Sequence, residues 1–366
     1  YYLAEFLDSL GPNARVSLSG YSLGARVAVG ALHLLGGGVL DGRQREASQH
    51  PDRPGARVVL IAGAIADDWL EPGMRFDRAF LTCSSCSPSR ATLLTGMPTH
   101  QCGQYGLAHA THNQHSFRNV KGLPALLAPA GYRSGVIAKL HVQPKEVFPF
   151  DVEVANSGRN PVQIAEHAKK FFADSADKPF FLLVGFTDPH RAAKGFANDG
   201  KYPDSVPAIK FDPKTVPLPY HLPDTAETRA ELAEYYQSIA RLDHGVGLVL
   251  KELEAAKQHE NTLVIFLSDN GIPFPGAKTT LYDSGVYLPL LIRKPGQKGV
   301  TCSAMASWTD ITPTVLDWCG VKPAPVGKKE APLAGRSLLP VLEQEKPEGW
   351  EVVYGSHQFH EVTMYY

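Results

Sequence analysis

The sequence contains no long apolar run and no strong excess of either charge. No apolar stretch reaches the roughly 18 residues that a membrane-spanning helix needs, so we expect no membrane partner. Lysine and arginine (36 residues) nearly balance aspartate and glutamate (37 residues), and the formal net charge is -1. That balance argues against binding of nucleic acid or another polyanion through long-range electrostatics. An anionic substrate would therefore need a local cluster of basic side chains.

Cysteine is also scarce, which limits the metal and redox sites that the chain can build. The five cysteines are Cys83, Cys86, Cys102, Cys302 and Cys319. A zinc site of this kind needs two C-x-x-C pairs, and the sequence has one, formed by Cys83 and Cys86. That single pair leaves a redox function open. The odd total does not decide the redox compartment. The first residues show neither a methionine nor a signal peptide, so we expect a fragment whose compartment stays open.

Apolar segments of strand length alternate with helical segments along the 366 residues. We predict strands over 57–62, 134–138, 180–186, 262–267 and 289–292, and helices over 91–95, 161–172, 226–256 and 311–318. Such alternation is typical of an α/β fold in which helices cover both faces of a mostly parallel sheet. In those sheets ligands bind at the carboxyl ends of the strands, and the polar motifs of this sequence follow those ends.

The most informative motif is C-S-P-S-R-A-T-L-L-T-G, over residues 86–96. It places Cys86 just before a predicted helix, where free backbone N–H groups and the helix dipole favour an anion. Arg90 follows one turn later with a planar guanidinium that suits anion oxygens. The plain alternatives are a buried structural thiol and an ordinary surface arginine.

Basic and acidic side chains follow two of the predicted strands. Lys139 and His141 come after the second strand, where they could bind an anion and move a proton. Asp188 and His190 come after the third strand. The histidine suits a general acid, and the carboxylate could bind an amine or a hydroxyl group. Each residue could otherwise be a surface charge or part of an Asp-Pro turn.

A further strand end carries oxygen donors. The strand 262–267 is followed by Asp269-Asn270-Gly271, whose carboxylate and amide oxygens are hard ligands suited to Ca²⁺ or Mg²⁺. The tripeptide alone is only a turn signal. Lys278 lies a few residues further on and could add a positive charge to the same site.

Taken in this order, the cysteine motif, Lys-x-His, Asp-Pro-His and Ser-Asp-Asn-Gly resemble the sulfatase family. The resemblance covers roughly residues 76–366 and is strongest to the branch that removes N-linked sulfate from glucosamine in heparan-type glycans. Segments 104–107, 148–151, 243–247 and 360–364 contribute to it. It implies an alkaline-phosphatase-like fold, a sulfated glycan or amino-sugar substrate, and a maturation enzyme that oxidises the cysteine to formylglycine. It also implies a periplasmic, secreted or lysosomal location and allows a homodimer.

The resemblance implies three groups of site residues. The catalytic group is Cys86, as the formylglycine nucleophile, with Arg90, Lys139, His141, His190 and Lys278. The substrate-binding group is Asp188, His360 and Glu361, and the metal group is Asp269, Asn270 and Cys86, normally with Ca²⁺ and alternatively with Mg²⁺. The family has an arginine where this sequence has Lys278, so the bidentate grip on an anion would be weaker.

Two departures from the family pattern concern the ends of the chain. A sulfatase usually opens with a strand that ends in a metal-binding Asp-Asp pair. Here Asp67-Asp68 imitates that pair but stands much closer to Cys86 than is usual. We interpret this as a junction near residue 75, and Asp67 and Asp68 remain candidate metal ligands. We also expect the catalytic domain, residues 76–366, to be truncated, because the resemblance implies a smaller C-terminal sheet domain that this sequence does not show.

The segment 1–75 favours a different kind of enzyme. Ser22 stands in a Gly20-x-Ser22-x-Gly24 turn between a predicted strand and a predicted helix, the context of an α/β-hydrolase nucleophile elbow. Too few residues precede Ser22 for the early strands of that fold, and the histidines after residue 75 belong to sulfatase-like motifs. A serine hydrolase is therefore one alternative function, beside an arylsulfatase-like O-sulfatase and a catalytically impaired chimaeric fragment.

Overall fold

A sheet of eight strands runs through the part of the chain that the computed structural model describes, residues 57–62, 74–109, 111–154, 159–297, 299–322 and 333–356. The strands are β1 Arg57–Ala62, β2 Met74–Phe80, β3 Arg133–Ala138, β4 Val152–Val154, β5 Phe180–Gly185, β6 Thr262–Leu267, β7 Leu290–Arg293 and β8 Val300–Ser307. Their spatial order is β4-β3-β5-β1-β6-β7-β2-β8. Strands β4, β3, β5, β1 and β6 pair in parallel, as do β2 and β8, whereas β7 is antiparallel to both of its neighbours. The predicted mostly parallel sheet is confirmed.

Helices cover both faces of this sheet. They are α1 Cys86–Thr95, α2 Thr99–Cys102, α3 Leu123–Leu127, α4 Pro161–Asp174, α5 Ala226–Ala255, α6 Asp283–Val286 and α7 Ile311–Trp318, with short 3₁₀ turns at Ala128–Ala130, His259–Asn261, Trp308–Asp310 and Leu339–Val341. The side chains of β5 alternate between the two faces. Phe181 and Leu183 join the core that contains α1 and α7, while Leu182 and Val184 join the core that contains α4 and α5. Both faces of β5 are therefore buried, which explains its continuous apolar sequence.

The predicted elements that fall within the described residues are confirmed, with differences at their ends, whereas the strand and helix predicted around Ser22 lie outside those residues. Strand β6 and helix α7 have the predicted bounds. Helix α1 begins at Cys86 rather than at residue 91, because Ser85 is an extended N-cap residue and Pro88 stands in the first turn, where the helix needs no N–H donor. The sequence pattern does not indicate β2, since charged residues interrupt its apolar positions. Within the described residues, no helix is long and apolar enough to cross a membrane.

Strand β1 comes from the segment before the predicted junction and lies inside the sheet. It pairs with β6 from Arg57 opposite Thr262 to Ala62 opposite Leu267, and with β5 on its other side. The chain before residue 75 thus supplies a strand to the same sheet as the chain after it. The junction and the division of the chain at residue 75 stay predictions, and Ser22 lies outside the described residues.

Helices α4 and α5 approach each other closely at a glycine. A Cβ atom on Gly245 of α5 would lie 2.6 Å from Cε1 of Phe186 and 2.9 Å from Cβ of Pro161, the first residue of α4. Phe186 is buried and a proline ring is rigid, so neither can move away easily. Gly247, one half-turn further along α5, has no neighbouring atom within 4 Å of the same position. The helix contact therefore depends on Gly245 and not on Gly247.

This pair of glycines gives a matched test of the packing. Both substitutions to alanine gain the same helix propensity, on the order of 1 kcal/mol, so the difference between them isolates the steric contact. We expect Gly247→Ala to raise the free energy of unfolding, and Gly245→Ala to lower it by about 1 to 3 kcal/mol. Urea-induced unfolding of both variants measures this. Equal effects of the two substitutions would show that α4 and α5 are not in close contact at Gly245.

Candidate active site

The carboxyl ends of β3, β5 and β6 meet at one edge of the sheet, beside the N-terminus of α1. The predicted site residues that the structure describes all lie around this edge: Cys86, Arg90, Lys139, His141, Asp188, His190, Asp269, Asn270 and Lys278. Most of them line one small cleft. The other predicted residues, Asp67, Asp68, His360 and Glu361, lie outside the described residues. The structure thus brings the described candidates together, while their individual roles stay predictions.

Cys86 is the first residue of α1 and is only 1% exposed. Its Sγ lies 3.1 Å from Oδ1 of Asn270 and 3.4 Å from Nζ of Lys278. Burial opposes ionisation of the thiol, but the charge of Lys139 and hydrogen bonds from His141 and His190 outweigh it. The pKa of Cys86 is therefore held well below its ordinary value. The surroundings of Cys86 therefore favour a negative charge on its sulfur.

A buried ion cluster lies beneath Cys86. Nε of Arg90 donates to Oδ2 of Asp269 at 2.7 Å, and Nζ of Lys139 lies 3.6 Å from the same oxygen. Burial of the Asp269 carboxyl opposes its ionisation, but Arg90, Lys139 and Lys278 outweigh this and lower its pKa far below the usual range. Asp269 therefore stays ionised. The sequence predicts that Arg90 holds an anion; in the structure two of its nitrogens already bind Asp269 and the backbone carbonyl of Lys139.

Gly185, the last residue of β5, permits the close approach of these groups. The backbone N–H of Lys139 donates to the Gly185 carbonyl at 2.8 Å. A Cβ atom on Gly185 would lie 2.1 Å from the Lys139 carbonyl oxygen and 3.0 Å from Nη1 of Arg90. Any side chain there would push β3 away or displace Arg90. Sequence reasoning missed this requirement, since a glycine at the end of an apolar run looks like an ordinary turn residue.

Two histidines flank the cleft. His190 lies with Nε2 3.4 Å from Nζ of Lys278. His141 faces Cys86, and burial, with the nearby charges of Lys139 and Arg90, lowers its pKa. Its backbone is in the left-handed region (φ 60°), which is uncommon for a non-glycine residue.

His141 has a partner that the sequence does not indicate. The rings of His109 and His141 stack with centroids 4.5 Å apart, and Nδ1 of His109 contacts Nε2 of His141. His109 is exposed and lies in a loop between α2 and α3. A lone histidine in a loop carries no pattern, so only the three-dimensional structure reveals this contact.

Asp188 is buried and paired with two arginines. Arg241 donates to its two oxygens at 2.6 and 3.0 Å, and Arg159 also binds Oδ1. The carboxylate lines the cleft, as expected for a substrate contact, but its oxygens are already occupied by guanidinium groups. Its role in a sugar pocket stays a prediction. Sequence reasoning missed both arginines, because neither stands in a recognisable motif.

The oxygen donors for a metal are partly present. Oδ1 of Asn270 faces Sγ of Cys86, and the Asp269 carboxylate lies at the same strand end. Their chemistry suits a hard divalent cation. Within the described ranges, no group of three or more histidine, cysteine, aspartate or glutamate residues could hold a metal ion. A complete site would need further donors beyond these two residues.

Comparison with known proteins agrees with this arrangement. The family model for sulfatases matches residues 62–321. Human N-sulphoglucosamine sulphohydrolase is 45% identical over an alignment of 334 residues, which covers 84% of this chain and 66% of the human protein. An ulvan-active sulfatase from Formosa agariphila is 27% identical over 289 residues, 69% of this chain and 47% of that protein. The chain thus spans between about half and two thirds of the length of these relatives.

Solved structures share the fold. A protein in complex with its substrate D-glucosamine-2-N,6-O-disulfate superposes with a TM-score of 0.60 at 20% identity, over 83% of this chain and 85% of that chain. Phosphonate monoester hydrolase of Agrobacterium radiobacter has a TM-score of 0.65 at 19% identity, over 81% of this chain and 79% of that chain. These likenesses concern the fold alone, and they confirm the predicted alkaline-phosphatase-like α/β architecture.

The ion cluster predicts a large effect of a small substitution. Asp269→Asn keeps the shape of the side chain but leaves the buried guanidinium of Arg90 and the half-buried ammonium of Lys139 without a counter-charge. We expect the free energy of unfolding to fall by on the order of 3 kcal/mol. The control is Asp224→Asn, which breaks an exposed pair with Arg229 and should have almost no effect. Urea unfolding in the presence of a chelator measures both free energies. If both substitutions change the free energy of unfolding by a similarly small amount, the ion pairs of Asp269 do not stabilise the fold.

Proposed function

Because this chain belongs to the sulfatase family, we propose that it hydrolyses the N-linked sulfate of glucosamine at the ends of heparan-type glycans. The observation that carries this proposal is the position of Cys86, buried at the N-terminus of α1 among Lys278, Asn270 and the Arg90–Asp269–Lys139 cluster. The choice of an N-linked sulfate rests on the 45% identity to human N-sulphoglucosamine sulphohydrolase. In the overall reaction water cleaves the S–N bond, releasing the amine and sulfate.

The positive charges of the cleft are suited to a sulfate group. Lys278 lies 3.4 Å from the sulfur of Cys86 and the charge of Lys139 acts on the same position, where, among the described residues, the carboxylate of Asp269 opposes them. The N-terminus of α1 adds backbone N–H donors. These fixed groups would bind the sulfate oxygens and offset the negative charge that builds on them during S–N cleavage.

Two additions would complete this site. A maturation enzyme would oxidise Cys86 to formylglycine, and the hydrated aldehyde supplies the oxygen that attacks sulfur. Asp269 and Asn270 would hold a divalent cation, with Ca²⁺ proposed and Mg²⁺ as the alternative, and Asp67 and Asp68 are proposed as further ligands. Such a cation supplies Lewis-acid stabilisation of the sulfate oxygens.

The two histidines, His190 and His141, would each carry out one proton transfer. His190 places Nε2 toward the cleft, where it would protonate the departing nitrogen of the sugar amine. His141 faces the Cys86 position, and its lowered pKa favours the neutral ring, which can accept a proton from the nucleophile. An amine is a poor leaving group without a proton, so the reaction depends on His190.

The first test removes each candidate nucleophile in turn. We expect Cys86→Ala to lower hydrolysis of N-sulfoglucosamine by a factor on the order of a thousand or more, because nothing else in the site can replace the nucleophile. Ser22→Ala should leave the rate unchanged. Release of inorganic sulfate measures both. Loss of activity in Ser22→Ala alone would favour a serine hydrolase, and preferential release of O-linked sulfate would favour an O-sulfatase.

The second test concerns the metal. A chelator should lower sulfate release, and added Ca²⁺ should restore it more effectively than Mg²⁺. Asn270→Ala should raise the Ca²⁺ concentration needed for half-maximal recovery, because it removes one oxygen donor. The control, Asn198→Ala, alters an asparagine that binds Arg241 away from Cys86 and should not change that concentration. Full activity in the chelator would contradict a metal-dependent reaction.

A further inference from the structure

The orientation of the His190 ring depends on one backbone carbonyl. Nδ1 of His190 lies 2.7 Å from the carbonyl oxygen of Arg191. A carbonyl oxygen only accepts hydrogen bonds, so Nδ1 carries a hydrogen and donates it. Nε2 is then the nitrogen that faces the cleft, 3.4 Å from Nζ of Lys278. The direction in which His190 can deliver a proton therefore follows from where the Arg191 carbonyl is held.

Arg159 holds that carbonyl from outside the cleft. Its Nη2 donates to the carbonyl oxygens of His190 at 2.8 Å and of Arg191 at 3.3 Å. Its Nη1 donates to Oδ1 of Asp188. A carbonyl oxygen has two lone pairs, so that of Arg191 can accept from both Arg159 and the His190 ring. One planar guanidinium thus ties together three residues of the loop after β5.

Asp188 does not depend on Arg159 alone. Arg241 binds both carboxylate oxygens, at 2.6 and 3.0 Å, and also donates to the carbonyl of Phe196 at 2.9 Å. Without Arg159, Asp188 keeps one arginine partner. Loss of Arg159 therefore removes one of the three donors to Asp188, but both of its hydrogen bonds to the carbonyls of His190 and Arg191.

We propose that Arg159 is a positioning residue, which holds the backbone of His190 and Arg191 so that Nε2 of His190 points at the leaving group. This inference rests on the proposed function, in which His190 protonates the departing nitrogen. A positioning role predicts that the effect of losing Arg159 depends on the leaving group of the substrate, which a purely structural role does not predict. Loss of Arg159 should slow substrates whose leaving group needs a proton, and spare substrates whose leaving group departs as a stable anion.

The test compares two substrates with the matured chain. N-sulfoglucosamine releases an amine that must be protonated, whereas 4-nitrophenyl sulfate releases a phenolate that needs no proton. We expect Arg159→Ala to lower kcat for N-sulfoglucosamine by about 10- to 100-fold and to change hydrolysis of 4-nitrophenyl sulfate less than about threefold. Arg159→Lys keeps the charge but not the forked donors, so its loss should be intermediate.

A matched arginine controls for general damage. Arg229 also binds a carboxylate, that of Asp224, and donates to a backbone carbonyl, that of Val216, but it lies outside the cleft. Arg229→Ala should change neither substrate. Thermal melting of each variant separates loss of folding from loss of rate. If Arg159→Ala does not fold, the two substrates are compared with Arg159→Lys instead.

A double substitution tests whether Arg159 acts through His190. In a His190→Ala background, Arg159→Ala should cause no further loss on N-sulfoglucosamine, because the group that it positions is gone. Losses that multiply would overturn the inference, as would equal losses on both substrates. If the parent chain hydrolyses N-sulfoglucosamine and Arg159→Ala hydrolyses it at the same rate, the inference about Arg159 is contradicted and the proposed function is not. A parent chain that hydrolyses neither substrate contradicts the proposed function, and the inference with it.

Discussion

One largely buried carboxylate, that of Asp269, joins the elements that build this site. It follows β6, and it binds Arg90 from α1 and Lys139 from the end of β3. Ions removed from water must be paired, so a fold that buries Arg90 has to bring these three elements together. The N-terminus of α1 is thereby held against the ends of the strands, and Cys86 comes to lie beside Asn270 and Lys278.

The same cluster explains the chemistry of the Cys86 position. The positive charge of Lys139 and the hydrogen bonds from His141 and His190 favour the thiolate of Cys86, and together they outweigh burial and the nearby charge of Asp269. Conversion of the thiolate to an aldehyde by the maturation enzyme would remove this negative charge and leave the nearby positive charges unbalanced. The negative charge of a bound sulfate group could then balance them. On this account maturation creates the anion-binding site as well as the nucleophile.

The fold could be predicted from the sequence to a large extent, because continuous apolar runs such as β5 and β6 alternate with helical segments, which is typical of a doubly covered parallel sheet. The grouping of Lys139, His190 and Asp269 at one edge followed from the same reasoning, since each stands just after a strand. Arg159 and His109 could not be found in this way. Their contacts depend on loops whose paths are set by the tertiary structure rather than by a local pattern. Gly185 escaped notice because its importance lies in a backbone that approaches it from another strand.

The most direct measurement of the central claim is the mass of the peptide that contains Cys86, taken from a preparation that hydrolyses N-sulfoglucosamine after production with a formylglycine-generating enzyme. The account predicts that Cys86 carries an aldehyde in place of its thiol, in a fraction that rises in proportion to the specific activity. A fully active preparation whose Cys86 remains a thiol would contradict it.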